Sequence, residues 1–162
     1  PGDVQSLESV QPYDGSYTRS RVLLLMNAEK SRNSKDEWRY LSQLMSREEN
    51  RFNPVLLSKR ARWYANQKKY SRALKDAERA EQHWARIPPK LQFVTKAEIY
   101  EVAAASQQGL FYASEEDLEL LSKAIRAWEK YGAHAQSGER MDLVAEAEEQ
   151  IGKLKYARGR LK

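Results

Sequence analysis

The chain contains no cysteine. Disulfides, thiolate-bound zinc, iron–sulfur clusters and cysteine nucleophiles are therefore all excluded. Long apolar runs are also missing, because the longest has five residues (22–26) and a membrane-spanning helix needs roughly 18. Glycine (7) and proline (5) are scarce in a chain of 162 residues, which disfavours a turn-rich β-sandwich.

Enough apolar material remains to build a core, since 41% of the residues are hydrophobic and 10% are aromatic. Wholesale disorder is therefore not expected, and the length suits a single domain. We assign residues 1–15 to an extended arm, 16–157 to one helical domain and 158–162 to a basic tail. The first residue is not Met, so we expect a processed form of a soluble domain. Its compartment stays open between cytoplasm and periplasm, because a signal or anchor could have been removed.

Charge is unevenly distributed along the chain. Residues 19–79 carry 16 Lys/Arg and 7 Asp/Glu, a formal charge of +9. Residues 80–152 carry 7 basic and 13 acidic side chains, a formal charge of -6. A basic half beside an acidic half favours electrostatic steering or self-association over a uniform nucleic-acid coat.

Apolar residues recur at three- and four-residue steps from residue 16 onward, which indicates amphipathic helices. No stretch shows the sustained alternation of a strand. The pattern predicts an all-α protein of antiparallel neighbours, with seven helices at about 19–32, 35–51, 54–67, 71–86, 90–108, 114–131 and 137–156.

The clearest helix boundary is Asn53-Pro54, an N-cap followed by proline at the first helical position. Other boundaries are predicted from shorter signals. They are a capping box from Ser34 to Glu37, a stop at Gly109, a cap at Ser114 and a stop at Tyr131-Gly132.

Residues 54–87 hold small and aromatic side chains at a recurrent spacing: Leu57, Ala61, Tyr64, Tyr70, Ala73, Leu74, Ala77 and Ala80. This segment resembles a tetratricopeptide repeat (TPR). Two positions depart from the repeat, because Lys68 stands where a turn glycine is common and the closing proline is displaced to Pro88. The resemblance implies helix-turn-helix pairs stacked as a short right-handed solenoid, in which the seventh helix is a solvating cap.

Catalysis has no support in the sequence. His83 and His134 share no metal-ligand spacing, and adjacent glutamates on a helix point about 100° apart. Phosphate-binding and nucleophile-elbow motifs are absent. We therefore predict a protein that is not an enzyme and that has no metal and no cofactor, with its histidines and tryptophans used in packing.

Lys59, Arg62 and Asn66 are the candidate partner-binding residues. Their three- and four-residue spacing places them on one face of the third helix. The repeat resemblance implies that this face lines a concave groove formed by helices one, three and five. We expect an adaptor that holds a partner peptide or helix there, one that carries acidic groups. A solvated charged face with no partner explains the same residues equally well.

Two other function classes stay open. The first is a self-assembling scaffold in which the basic half of one molecule docks on the acidic half of the next. The second is a nucleic-acid-binding helical protein, against which the net acidic charge of residues 80–152 argues.

Overall fold

A computed structural model describes residues 16–161, and the side chains of residues 19–161. This part of the chain forms seven α-helices and no strand, which confirms the all-α prediction. The helices are α1 (Ser16–Lys30), α2 (Ser34–Met45), α3 (Pro54–Asn66), α4 (Tyr70–Gln82), α5 (Pro89–Ala113), α6 (Leu118–Ser137) and α7 (Met141–Arg160). Short 3-10 turns lie at Glu48–Asn50 and Trp84–Arg86. The predicted arm, 1–15, lies outside the described residues.

Each helix packs against the next helix in the chain, and α3 also packs against α5. One apolar cluster joins α1, α2 and α3 through Leu25, Leu44 and Leu56. A larger one joins α5, α6 and α7 around Trp128 and Leu154. Two smaller apolar clusters, each with residues from α3, α4 and α5, lie between these two and connect them. Among residues 16–161, no helix is both long and apolar enough to cross a membrane.

The N-cap of α3 is the predicted one. Asn53 Oδ1 accepts hydrogen bonds from the backbone N–H groups of Val55 (3.0 Å) and Leu56 (3.3 Å). The cap predicted for α2 is wrong by one residue. Asn33 is the N-cap, and its side chain accepts from the N–H of Asp36 at 3.1 Å, so Ser34 already lies inside the helix.

Gly109 does not end the fifth helix, which continues to Ala113. Its backbone lies against the ring of Tyr70 on α4, where an added Cβ would overlap that ring. The glycine is thus required by a close approach between two helices, which local sequence cannot distinguish from a helix stop.

The predicted ends of the sixth helix are also wrong. Asp117 caps α6 in place of Ser114, because its Oδ1 accepts from the N–H groups of Glu119 (2.9 Å) and Leu120 (3.2 Å). Gly132 lies inside α6, facing Ala147 of α7, and the helix ends at Ser137.

The turn between α3 and α4 contains Lys68 at φ 58°, in the left-handed region. A side chain in that region costs roughly 1–2 kcal/mol, which glycine avoids. Glycine also loses more chain entropy on folding, by roughly 0.5–1 kcal/mol. We expect Lys68→Gly to stabilise the protein by about 0.5–1 kcal/mol, measured by urea unfolding.

Lys75→Gly is the matched control, because Lys75 is exposed in the interior of α4. It should destabilise by about 1 kcal/mol, the cost of glycine inside a helix. If both variants lose stability equally, the turn does not strain Lys68.

Candidate functional site

Lys59, Arg62 and Asn66 line one concave site of about 290 Å³. We call this site the central groove. Its lining comes from α1, α2, α3 and α5: Glu29, Glu37, Leu41, Ser58, Lys59, Arg62, Trp63, Asn66 and Glu98. The structure therefore brings together the three residues that the spacing placed on one helix face.

Packing of α3 determines which of its residues reach the groove. Leu57 and Ala61 are fully buried in contacts with α4 and α5. Trp63 forms part of the groove wall, and its Nε1 donates to the backbone oxygen of Ser34 at 2.8 Å. The Trp63 ring also packs on Trp38, with the ring centroids 4.3 Å apart. A hydrogen bond and a ring contact thus fix the position of Trp63.

Both cations of the groove are already engaged in ion pairs. Lys59 Nζ lies 2.9 Å from Glu29 Oε1 on α1, and only 13% of the lysine side chain is exposed. Arg62 Nη1 donates to Glu101 Oε1 on α5 at 3.1 Å, and Nη2 donates to Oε2 of the same carboxylate. Sequence spacing predicted the face but not these partners.

Acidic groups outnumber basic ones around the groove. Glu37 and Glu98 line it in addition to Glu29, and Glu101 lies next to Arg62. Burial raises the pKa of Glu37, and repulsion from Glu29 adds to this while Lys59 opposes it. Burial lowers the pKa of Arg62, but its hydrogen bond and charge interaction with Glu101 outweigh this and raise it. Crowded negative charge is thus the main electrostatic feature of the groove.

A second concave site adjoins the central groove between α5, α6 and α7, with a volume of about 300 Å³. Glu98 lines both sites, and Glu101 lines the second one. In it, Tyr131 donates its hydroxyl to Glu146 Oε2 at 2.9 Å. Burial, followed by this hydrogen bond, raises the pKa of Tyr131. Glutamates therefore line the concave surface from α1 to α7, and Arg140 is the cation among them in the second site.

The two histidines take part in packing. His134 Nε2 lies 2.8 Å from the backbone oxygen of Phe93, and its ring stacks on the Phe93 ring at 4.4 Å. His83 stacks on Phe52 at 5.1 Å. Over residues 16–161, no three His, Asp or Glu side chains group together as metal ligands would. The absence of enzymatic activity stays a prediction.

The glutamates of the groove were missed by reasoning from sequence. Glu98 and Glu101 lie three residues apart on α5, so their shared face was a signal that could have been read. Glu29 and Glu37 gave no comparable signal, because their place in the groove depends on how α1 and α2 dock.

Comparison with known proteins identifies no relative of the chain. No protein-family model, curated protein or solved structure matches the chain. The tetratricopeptide resemblance therefore stays a prediction that rests on residues 54–87.

Proposed function

We propose that the protein is a non-enzymatic TPR-like adaptor that holds a segment of a partner protein in the central groove. The supporting observation is the convergence of side chains from α1, α2, α3 and α5 on one concave surface. Contact of α3 with both α4 and α5 is what a stack of helical pairs requires, and it supports a short solenoid. The right-handed sense that we propose for it is what the TPR resemblance implies. Shape and the Trp63 wall would supply contact area, and charge would select the partner.

The charges of the groove favour a basic partner segment. An acidic segment, as expected from the sequence, would have to compete with Glu29 for Lys59 and with Glu101 for Arg62. A Lys or Arg side chain would instead enter beside Glu37, whose pKa is raised first by burial and then by repulsion from Glu29, and would compensate that crowded negative charge. We therefore propose a partner segment rich in Lys and Arg, with an acidic segment as the competing outcome.

The Lys59→Met/Arg62→Met double variant distinguishes these two partners, because it should change the affinity for a basic and for an acidic segment in opposite directions. Removing both cations leaves Glu29 and Glu101 without their ion pairs, so a basic segment should bind several-fold more tightly, by about 1 kcal/mol. An acidic segment should bind more weakly by a similar factor. We would measure fluorescence anisotropy at low salt with two labelled peptides, identical except for Lys or Glu at the charged positions.

Lys123→Met is the matched control, because Lys123 is exposed on α6 outside both concave sites. It should leave the affinity of either peptide unchanged. Glu29→Gln/Glu98→Gln should weaken the basic peptide. Failure of both peptides to bind the wild-type protein would contradict the adaptor function. The self-assembly and nucleic-acid alternatives stay predictions.

A further inference from the structure

A larger cavity lies outside the central groove and shares no lining residue with it. It has a volume of about 580 Å³ and is formed where α2 ends, where the chain enters α3, and along α3 and α4. We call it the arginine cavity. Its lining residues are Met45, Ser46, Arg47, Glu48, Arg51, Phe52, Arg60 and Arg79.

Two of its four arginines are held in place by carboxylates. Arg60 Nε and Nη2 donate to Asp76 at 2.7 and 2.9 Å, and Asp76 is 3% exposed. This pair orients the guanidinium and leaves its Nη1 edge outside the pair. Arg47 Nε donates to Glu49 Oε1 at 2.8 Å. The buried carboxylate therefore preorganises Arg60, whereas the pair of Arg47 is about one-third exposed and orients its side chain less firmly.

The other two arginines are exposed at the mouth of the cavity. Arg51 packs over the ring of Phe52, with its guanidinium carbon 5.5 Å from the ring centroid. Arg79, on α4, makes no ion pair with any residue of the described part of the chain. Glu48 is the single acidic side chain among the described lining residues. Among the described lining residues, four arginines thus stand against one acid.

Helix dipoles explain only part of this excess of positive charge. Cations are favourable at helix C-termini, and Arg79 lies in the last turn of α4. At the end of α2, however, Asn50 Nδ2 already donates to the backbone oxygen of Leu44 at 3.0 Å, and the N–H of Ser46 bonds to Ser42. Those two carbonyl groups are therefore satisfied without an arginine.

We propose that the arginine cavity binds a phosphate monoester group. Guanidinium groups pair with phosphate oxygens through two parallel N–H donors, and forks from several elements suit a tetrahedral anion. The volume of the cavity falls within the range of small-ligand sites. A soluble phosphate ester and a phosphate-bearing lipid headgroup share this chemistry.

The test is calorimetric titration with inorganic phosphate and with glycerol 3-phosphate. We expect saturable binding that Arg51→Gln/Arg79→Gln weakens at least about tenfold, the effect of losing a charged hydrogen bond. Arg79→Lys, which keeps the charge and removes the fork, should lose part of the affinity. Flotation with phosphatidylcholine vesicles, with and without phosphatidic acid, identifies which phosphate source the cavity accepts.

Arg126→Gln is the matched control, because it removes an exposed arginine of α6 outside the cavity. It should leave phosphate binding unchanged, as should Lys59→Met/Arg62→Met in the central groove. The proposal is overturned if the wild-type protein shows no saturable binding of either phosphate. It is also overturned if Arg51→Gln/Arg79→Gln retains full affinity, or if Arg126→Gln loses as much.

Discussion

Replacing Arg60 by methionine is expected to destabilise the protein by about 3–5 kcal/mol, the usual cost of breaking a buried ion pair. Asp76 is almost completely buried, and two nitrogens of Arg60 bond to its carboxylate at 2.7 and 2.9 Å. Without Arg60 that carboxylate stays inside the contact between α3 and α4 with its charge uncompensated. Urea unfolding followed by circular dichroism measures the loss.

Arg62→Met is the matched control from the same helix. Its partner Glu101 is more exposed, with 22% of the side chain accessible, and Arg62 itself is 41% exposed. Loss of that pair should cost no more than about 1 kcal/mol. The double variant Arg60→Met/Asp76→Leu should recover much of the stability, because an apolar pair replaces the buried charges. Equal losses for Arg60→Met and Arg62→Met would contradict this account.

Gly109→Leu is expected to destabilise by about 1–3 kcal/mol through overpacking. Any Cβ at this position would overlap the ring of Tyr70, so either that ring must leave its place against α5 or the two helices must separate. Leucine is otherwise a better helix former than glycine by nearly 1 kcal/mol, which works against the loss. Thermal melts give the net effect.

Gly152→Leu makes the same change on α7, where nothing lies within 4 Å of an added Cβ. There only the helix propensity remains, so the variant should gain up to about 1 kcal/mol. The two substitutions therefore have opposite signs. If Gly109→Leu melts at or above the temperature of Gly152→Leu, α4 and α5 are not closely packed at Gly109.

The sequence predicted helices where local chemistry determines them. Asn53-Pro54 starts α3 because the amide side chain and the missing N–H of proline act on the first turn alone. Gly109 and Gly132 were misread for the opposite reason. Each is glycine because another helix approaches it, and that approach depends on tertiary packing.

The same distinction, between what local sequence determines and what tertiary packing determines, applies to the candidate site. The common face of Lys59, Arg62 and Asn66 follows from the geometry of one helix. The acids that pair with its cations lie 30 residues away for Lys59 and 39 residues away for Arg62. Periodicity within α3 contains no information about such distant neighbours, so the pairing of its cations with glutamates appeared only in the structure.

Packing of each helix on its chain neighbour has a consequence for how the protein folds. Contacts between sequence neighbours close short loops, which cost little chain entropy, and proteins rich in such contacts fold rapidly. Synthesis on the ribosome delivers the chain from its N-terminal end. Each new helix can then dock on the one made just before it, without waiting for the C-terminal half to emerge.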